Sequence, residues 1–321
     1  MTRYFISSLK ESFSGESFLL LCSSSFEKRC LSIPRIAFES QKCLRSFVCV
    51  NEENLAHVGP FAESIRGLFG DSTERVKIWG SDPVRTADSI FASVRQLLSM
   101  QTSRIVVDIS AMMRETLLIL LASLKCAKST GKRIQFAYVP AEYNPSRKKE
   151  DRPILSFGAI EVRSVLGYPG DYVPTLPRHL ILLTGFEEER ARAVINATEP
   201  SIISLGRGER NHSTSEVNAA LDHTFTGGLL KDFAARAQRF EIYPDSAHDT
   251  ASAIIKQIES FPGYKPLICA MNTKVSTCGA AVAAWQNHSV ELLYAQPALY
   301  NYEDYAEPKE EIYLFDLPLG D

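Results

Sequence analysis

The sequence is poor in the motifs that announce chemistry. No C-x-x-C pair occurs among its seven cysteines (Cys22, Cys30, Cys43, Cys49, Cys126, Cys269, Cys278), so free thiols in a reducing compartment are expected rather than zinc or disulfides. No G-x-G-x-x-G follows the first apolar run and no lysine-bearing phosphate loop is present, which removes the usual dinucleotide and P-loop cradles. Without G-x-S-x-G, a hydrolase triad has no anchor. The six histidines (His57, His179, His212, His223, His248, His288) show no H-E-x-x-H or other metal spacing. No cofactor and no metal are expected. The N-terminus lacks a charged-then-apolar leader pattern, and the longest apolar run, Thr116–Leu124, is too short to span a bilayer. A cytoplasmic protein without a membrane partner is expected. The net charge of −3 gives no global reason for nucleic-acid binding.

What the sequence does have is a repeat. Trp79-Gly80-Ser81-Asp82-Pro83 lies over Tyr243-Pro244-Asp245-Ser246-Ala247 at a shift of 164, which also pairs Thr86 with Thr250 and Ala87 with Ala251. The same shift lays the strand-like run ending in Asp108 over the one ending in Asn272. Phe26-Glu27 matches Phe186-Glu187 at 160, and Pro140, Tyr143 and Asn144 match Pro297, Tyr300 and Asn301 at 157. Small indels between matched blocks are what two copies of one domain accumulate. The length of 321 residues, 45% of them hydrophobic, suits two domains, each with a core of its own.

Each copy alternates short apolar runs with longer segments of helical spacing. In the first, strands are predicted at 17–22, 46–50, 76–80, 104–110 and 133–139, with helices at 53–68, 83–99 and 112–126. In the second, strands fall at 179–184, 201–206, 239–243, 265–271 and 289–295. Helices there fall at 186–196, 213–237 (broken at Gly227-Gly228), 247–260 and 275–285. This pattern predicts an α/β fold of two duplicated Rossmann-like, doubly wound parallel sheets. The predicted division is 1–150, a connector 151–176 with a hairpin, and 177–321. The run Glu311–Leu317 is predicted as an edge strand.

Ligands of such sheets bind beyond the carboxyl ends of the strands, so polar residues there are the candidates. The first copy offers Ser23-Ser24-Ser25 with Glu27 and Arg29, then Asp108, Ser110 and Arg114; the second offers Thr184 to Glu187 with Arg190, then Asn272, Thr273 and Lys274. Hydroxyls, a cation and a helix N-terminus together suit a phosphate or carboxylate. The competing reading is ordinary helix capping, which the same residue types perform. Tyr138 and Tyr294, at the ends of the fifth strands, either stack on a ligand or pack over the sheet edge. Glu187-Glu188-Glu189 with Arg190 and Arg192 reads as a solvated helix face.

Asp108-x-Ser110-x-x-x-Arg114, with the hydroxyl-rich loop Ser23–Ser25, resembles CARF domains, the CRISPR-associated Rossmann-fold sensors of cyclic oligonucleotides. The resemblance implies that Ser24, Asp108, Ser110 and Arg114 line one half-site and Asn272 with Lys274 the other. The chain departs from that family in fusing two copies in tandem, with no helix-turn-helix or nuclease segment in evidence.

The functional expectation is a non-catalytic sensor binding a nucleotide-like or other phosphorylated ligand between the copies, with an effector protein as partner and a role in bacterial defence. Its expected ligand set is Ser24, Arg29, Asp108, Ser110, Arg114, Asn272 and Lys274. The alternatives are a glycosyl- or phosphoribosyl-transferase with Glu27 or Glu187 as general base, and a scaffold subunit whose strand-end residues serve only as caps.

Overall fold

Short runs rich in branched and aromatic residues form the strands, and the segments apolar at every third or fourth position form the helices. The computed structural model describes residues 2–5, 13–127, 131–142, 155–171, 173–208, 216–302 and 307–320. Tyr143, Asn144, the charged run Arg147–Asp151, Glu209, Arg210 and His212 lie outside the described residues. The chain divides into two compact units, Met1–Ala141 with Ala306–Asp321, and Glu142–Tyr305.

The first unit runs β1 (Thr2–Phe5), β2 (Phe18–Ser23), α1 (Ser32–Glu39), β3 (Cys43–Asn51), α2 (Leu55–Phe69), β4 (Thr73–Ile78), α3 (Pro83–Ser99), β5 (Arg104–Asp108), α4 (Arg114–Cys126) and β6 (Arg133–Tyr138). Strands β2 to β6 are parallel and lie in the order β6–β5–β2–β3–β4. The chain winds outward one way from β2 and the other way from β5, which makes the sheet doubly wound and Rossmann-like, with its switch point between β2 and β5. Every residue of β2 and β5 is buried, as central strands covered on both faces require. α3 starts where Pro83 predicts, with Asp82 Oδ1 accepting from Arg85 N at 2.9 Å.

Two features of this unit differ from expectation. The short α1 was not predicted; two turns carrying Pro34 leave too little periodicity to read. The C-terminal strand, Glu311–Asp316, does not sit at an edge. It pairs antiparallel with β6 on one side and β1 on the other. Directly opposed rings, Tyr313 on Tyr138 and Phe315 on Phe136, stack at 6.4 and 5.7 Å and fix that register.

The second unit runs β7 (Ser156–Pro169), β8 (Arg178–Leu183), α5 (Glu188–Thr198), β9 (Ile202–Gly208), α6 (Glu216–Asp232), β10 (Ala237–Ile242), α7 (Ala247–Glu259), β11 (Lys265–Ala270), α8 (Lys274–Gln286) and β12 (Glu291–Tyr300). The sheet order is β10–β9–β8–β11–β12–β7, parallel except for β7, and its switch point lies between β8 and β11. The hairpin expected near residues 153–165 is instead one strand, β7, laid antiparallel along β12. An isolated hairpin is marginal in water, whereas β12 offers a ready edge. α6 continues through Gly227-Gly228, where Gly228 faces the Glu188 carboxylate of α5. Each unit has its own apolar cluster, built around β2 in the first and around β8 in the second.

The repeat extends to individual bonds. Thr86 Oγ1 donates to Trp79 O at 2.8 Å and accepts from Trp79 N at 2.7 Å. Thr250 does the same with Tyr243, at 2.8 and 3.2 Å. Ser24 N donates to Cys49 O at 2.9 Å, and Thr184 N to Gly206 O at 2.8 Å.

Candidate functional site

The candidate site is the switch point of each sheet, where neighbouring strands send their chains away on opposite faces beyond their carboxyl ends. In the first unit this point carries Ser23 to Arg29 after β2 and Asp108 to Arg114 after β5. The serine hydroxyls turn inward: Ser23 Oγ and Ser24 Oγ each donate to Cys49 O at 3.3 Å. Asp108 Oδ1 accepts from Ser110 N at 2.9 Å and from Ser110 Oγ at 2.5 Å. Ser110 Oγ in turn accepts from Val139 N at 2.9 Å, beyond the end of β6. Among the described residues, Asp108 Oδ2 accepts no hydrogen bond. Burial raises the Asp108 carboxyl to about 6, against the lowering pull of Ser110 and Arg29.

Arg29 completes this network from the other side. Its Nη1 donates to Val139 O at 3.1 Å, while Nε and Nη2 meet Glu27 Oε2 and Oε1 at 2.6 and 3.1 Å. Both partners are buried, so a bidentate pair with a third bond to the backbone is what makes their desolvation tolerable. The Val139 peptide thus bonds to Ser110 through its N–H and to Arg29 through its carbonyl. Arg114 is the first residue of α4 and half-buried. Burial raises the Tyr138 hydroxyl, and the charges of Arg29 and Arg114 both oppose that rise.

The second unit repeats the ion pair with one residue more between the partners. Arg190 Nη1 meets Glu187 Oε2 at 2.5 Å, and Nη2 donates to Ala295 O at 2.5 Å, beyond Tyr294. Ser156 of β7 donates to Glu187 as well. Burial lowers the Arg190 pKa, yet Glu187 and the tyrosines Tyr294 and Tyr300 outweigh it, and the net direction is upward. Glu187 and Arg190 therefore are not part of a solvated face: both are buried, because a guanidinium tied to the sheet end anchors the loop. The i,i+3 pairing of Glu187 with Arg190 is as read, but it is buried; Glu188 and Arg192 form a partly exposed i,i+4 pair at 2.5 Å. The Phe-Glu step at the start of each copy was the visible trace of this device, but the unequal spacing, Glu-x-Arg against Glu-x-x-Arg, hid it.

The second switch point is drawn tighter. Asn272 Nδ2 donates to Thr184 O, and Asn272 Oδ1 accepts from Thr273 N at 2.9 Å. A Cβ on Gly185 would fall 2.2 Å from Met271 O, so only glycine admits this approach of the β8 and β11 ends. Thr273 caps α8, accepting from Ser276 N at 3.1 Å, and Lys274 follows as the first helical residue, half-buried. Asp108 and Asn272 are equivalent in position and unlike in use.

Glu27 and Glu187, named as general bases under the transferase reading, both carry guanidinium partners. The seven cysteines are free, and burial pushes Cys30 and Cys49 up to about 12, which leaves them as packing groups. Among the described residues no group of three His, Cys, Asp or Glu side chains is placed to hold a metal, and no helix is long and apolar enough to cross a membrane.

No protein-family model matches the chain, and no curated protein matches its sequence. Similar solved structures include a type III CRISPR defence DNA nuclease activated by cyclic oligoadenylate, with 7% identity, a TM-score of 0.49, and 83% of this chain and 63% of that chain covered. This chain thus spans less than two thirds of the nuclease. A universal stress protein from Archaeoglobus fulgidus matches with 10% identity and a TM-score of 0.28, over 87% of this chain and 96% of that one. A periplasmic ribose ABC transporter structure from Conexibacter woesei matches with 14% identity and a TM-score of 0.24, over 85% and 70%. The Rossmann-like assignment rests on the strand order described above.

Proposed function

We propose that this protein is a non-catalytic sensor that binds a nucleotide-like or other phosphorylated ligand at the switch points of its sheets. Ser24, Asp108, Ser110 and Arg114 serve in the first unit, and Asn272 with Lys274 in the second. Arg29 acts through the Val139 peptide, holding the β6 end in place. The observation that carries the reading is Asp108. Its turn with Ser110 uses one carboxylate oxygen and leaves the other without a hydrogen bond among the described residues, while the residue as a whole is buried at the switch point. A residue kept only for that turn would not retain a buried carboxyl at such cost. That oxygen suits a ligand hydroxyl or amino group, and Arg114 at the start of α4 suits a phosphate.

The resemblance of the Asp108 motif to CARF sensors makes cyclic oligonucleotides the first ligands to try, and an effector partner and a defence role belong to the same reading. The test is mass spectrometry of small molecules released from the heat-denatured protein, with thermal shifts against a nucleotide panel. A ligand present at a hundred times its Kd stabilises the protein by about 2.7 kcal/mol. That shift should vanish when Arg114→Ala and Lys274→Ala are combined, and the ligand should be recovered unchanged. A shift untouched by the double variant refutes the site; a consumed ligand refutes the non-catalytic reading.

A further inference from the structure

The repeat lets one unit serve as the control for the other. At the shift of 164, β4 (Thr73–Ile78) lies over β10 (Ala237–Ile242). The same shift takes Phe69, the last residue of α2, to Phe233, which follows the last residue of α6. Both rings pack against the apolar cluster of their own unit. Around them the two units part: Arg66, Asp71 and Thr73 in the first are Leu230, Ala235 and Ala237 in the second. Leu230 and Ala237 add to the packing of the second cluster. The fold at this place therefore requires no polar group, yet the first unit carries a cation, an acid and a hydroxyl there.

A cavity of about 220 Å³ lies at this place in the first unit, between α2 and the outermost strand β4. Its apolar lining is Val48, Val50 and Ala62, and Arg66, Asp71 and Thr73 line it beside them. The Asp71 carboxylate makes no hydrogen bond or ion pair among the described residues, and the Arg66 guanidinium reaches only the exposed Glu63, at 4.0 Å. Arg75, by contrast, is held by Glu52 at 2.7 and 3.0 Å. Thr73 Oγ1 accepts from Ser46 Oγ at 3.1 Å, which leaves its own proton to donate. Two opposite charges thus line one cavity without pairing with each other. We infer that this cavity binds a free α-amino acid with an aliphatic side chain. The ligand carboxylate meets Arg66 and the Thr73 hydroxyl, its ammonium meets Asp71, and its side chain covers Val48, Val50 and Ala62. The volume is below the roughly 300–1,000 Å³ of a pocket for drug-sized ligands, which suits an amino acid and excludes a nucleotide. No switch-point residue lines this cavity, so the site does not depend on the ligand proposed there.

The test is an NMR titration of the full chain, its valine methyl groups labelled, with L-leucine, glycine, isocaproate (leucine without its amino group) and isoamylamine (leucine without its carboxylate). L-leucine should move the Val48 and Val50 signals saturably, with a Kd of about 1 mM, since partners this exposed contribute modestly. Isocaproate and isoamylamine should each bind about fivefold or more weakly, and glycine about tenfold or more weakly for want of a side chain. Arg66→Gln and Asp71→Asn should each weaken L-leucine about fivefold. Arg66→Leu combined with Asp71→Ala copies the second unit and should abolish binding; both residues are on the surface, so the melting temperature should stay where it is. The single variants keep the inference testable even if the copied one folds poorly. No saturable shift up to about 20 mM L-leucine, equal binding of glycine or isocaproate, shifts at valines away from β3 alone, or indifference to Arg66→Gln and Asp71→Asn would each overturn it.

Discussion

His179 gives the sharpest test of the energetics, because one buried imidazole should bend the pH dependence of stability by a calculable amount. It sits in β8 at 1% exposure, with Nε2 2.8 Å from Ser204 Oγ, which also accepts from Gln238 Nε2 at 3.2 Å. The ring meets Phe261 edge-on at 4.8 Å. Burial lowers its pKa from 6.5 to about 4. The unfolded chain thus takes up the proton first as pH falls. The stabilising contribution is complete above about pH 6.5, shrinks between 6.5 and 4, and is constant below that. From pH 7.5 to pH 5.0 the loss is about 2 kcal/mol by proton linkage. His179→Gln keeps a polar partner for Ser204 and removes the titration. Urea unfolding of both proteins at the two pH values should show the natural chain losing about 2 kcal/mol more than the variant. Asp108 moves stability the other way in the same interval, but it is common to both proteins and cancels in the difference. Parallel losses, within about 0.5 kcal/mol, would refute the claim that the folded chain holds His179 neutral.

The buried pair makes a second prediction. Arg29→Met leaves Glu27 charged and buried, and should cost about 3–5 kcal/mol in unfolding, most of which Glu27→Gln on the same chain should restore. A third concerns Asp108, whose folded pKa is raised to about 6 from 3.8. Its contribution is fully present below pH 3.8 and is lost as pH rises through 6, so at pH 7.5 the ionised group costs about 3 kcal/mol. Asp108→Asn should therefore stabilise the protein at pH 7.5 by up to that amount, gain almost nothing at pH 4, and lose the ligand-induced thermal shift. Equal stability of the two proteins at pH 7.5 would contradict it.

Much of the fold was legible because its signals are local. Proline after an acid set the start of α3, and near-continuous apolar runs marked β2, β5, β8 and β11 as strands of parallel sheets. The strand-end candidates were chosen by the same logic, since topology alone makes those positions polar. What escaped was non-local. Glu27 and Arg29 look like surface charges until the end of β6 supplies a carbonyl 110 residues away. His179 lies in an apolar run that says nothing of Ser204 on the next strand. The place of Glu311–Asp316 depends on β1 and β6, more than 170 residues earlier in the sequence, and no periodicity within the run encodes that pairing. Gly227-Gly228 misled because a propensity cost of about 1 kcal/mol per glycine is small beside helix packing.

The strand Glu311–Asp316 gives the chain an order of assembly. It leaves the ribosome after the other strands of its sheet, yet it belongs inside that sheet, whose parallel strands were made long before, and among the described residues β1 joins the sheet by pairing with it. The second unit, contiguous in sequence, can close while the first still waits for its final piece. Throughout that wait β6 presents a bare edge to other nascent chains, the kind of edge that invites mispairing. How quickly the inserted unit folds thus sets how long the enclosing one stays vulnerable, and a slow-folding second unit would surface as aggregation through the first.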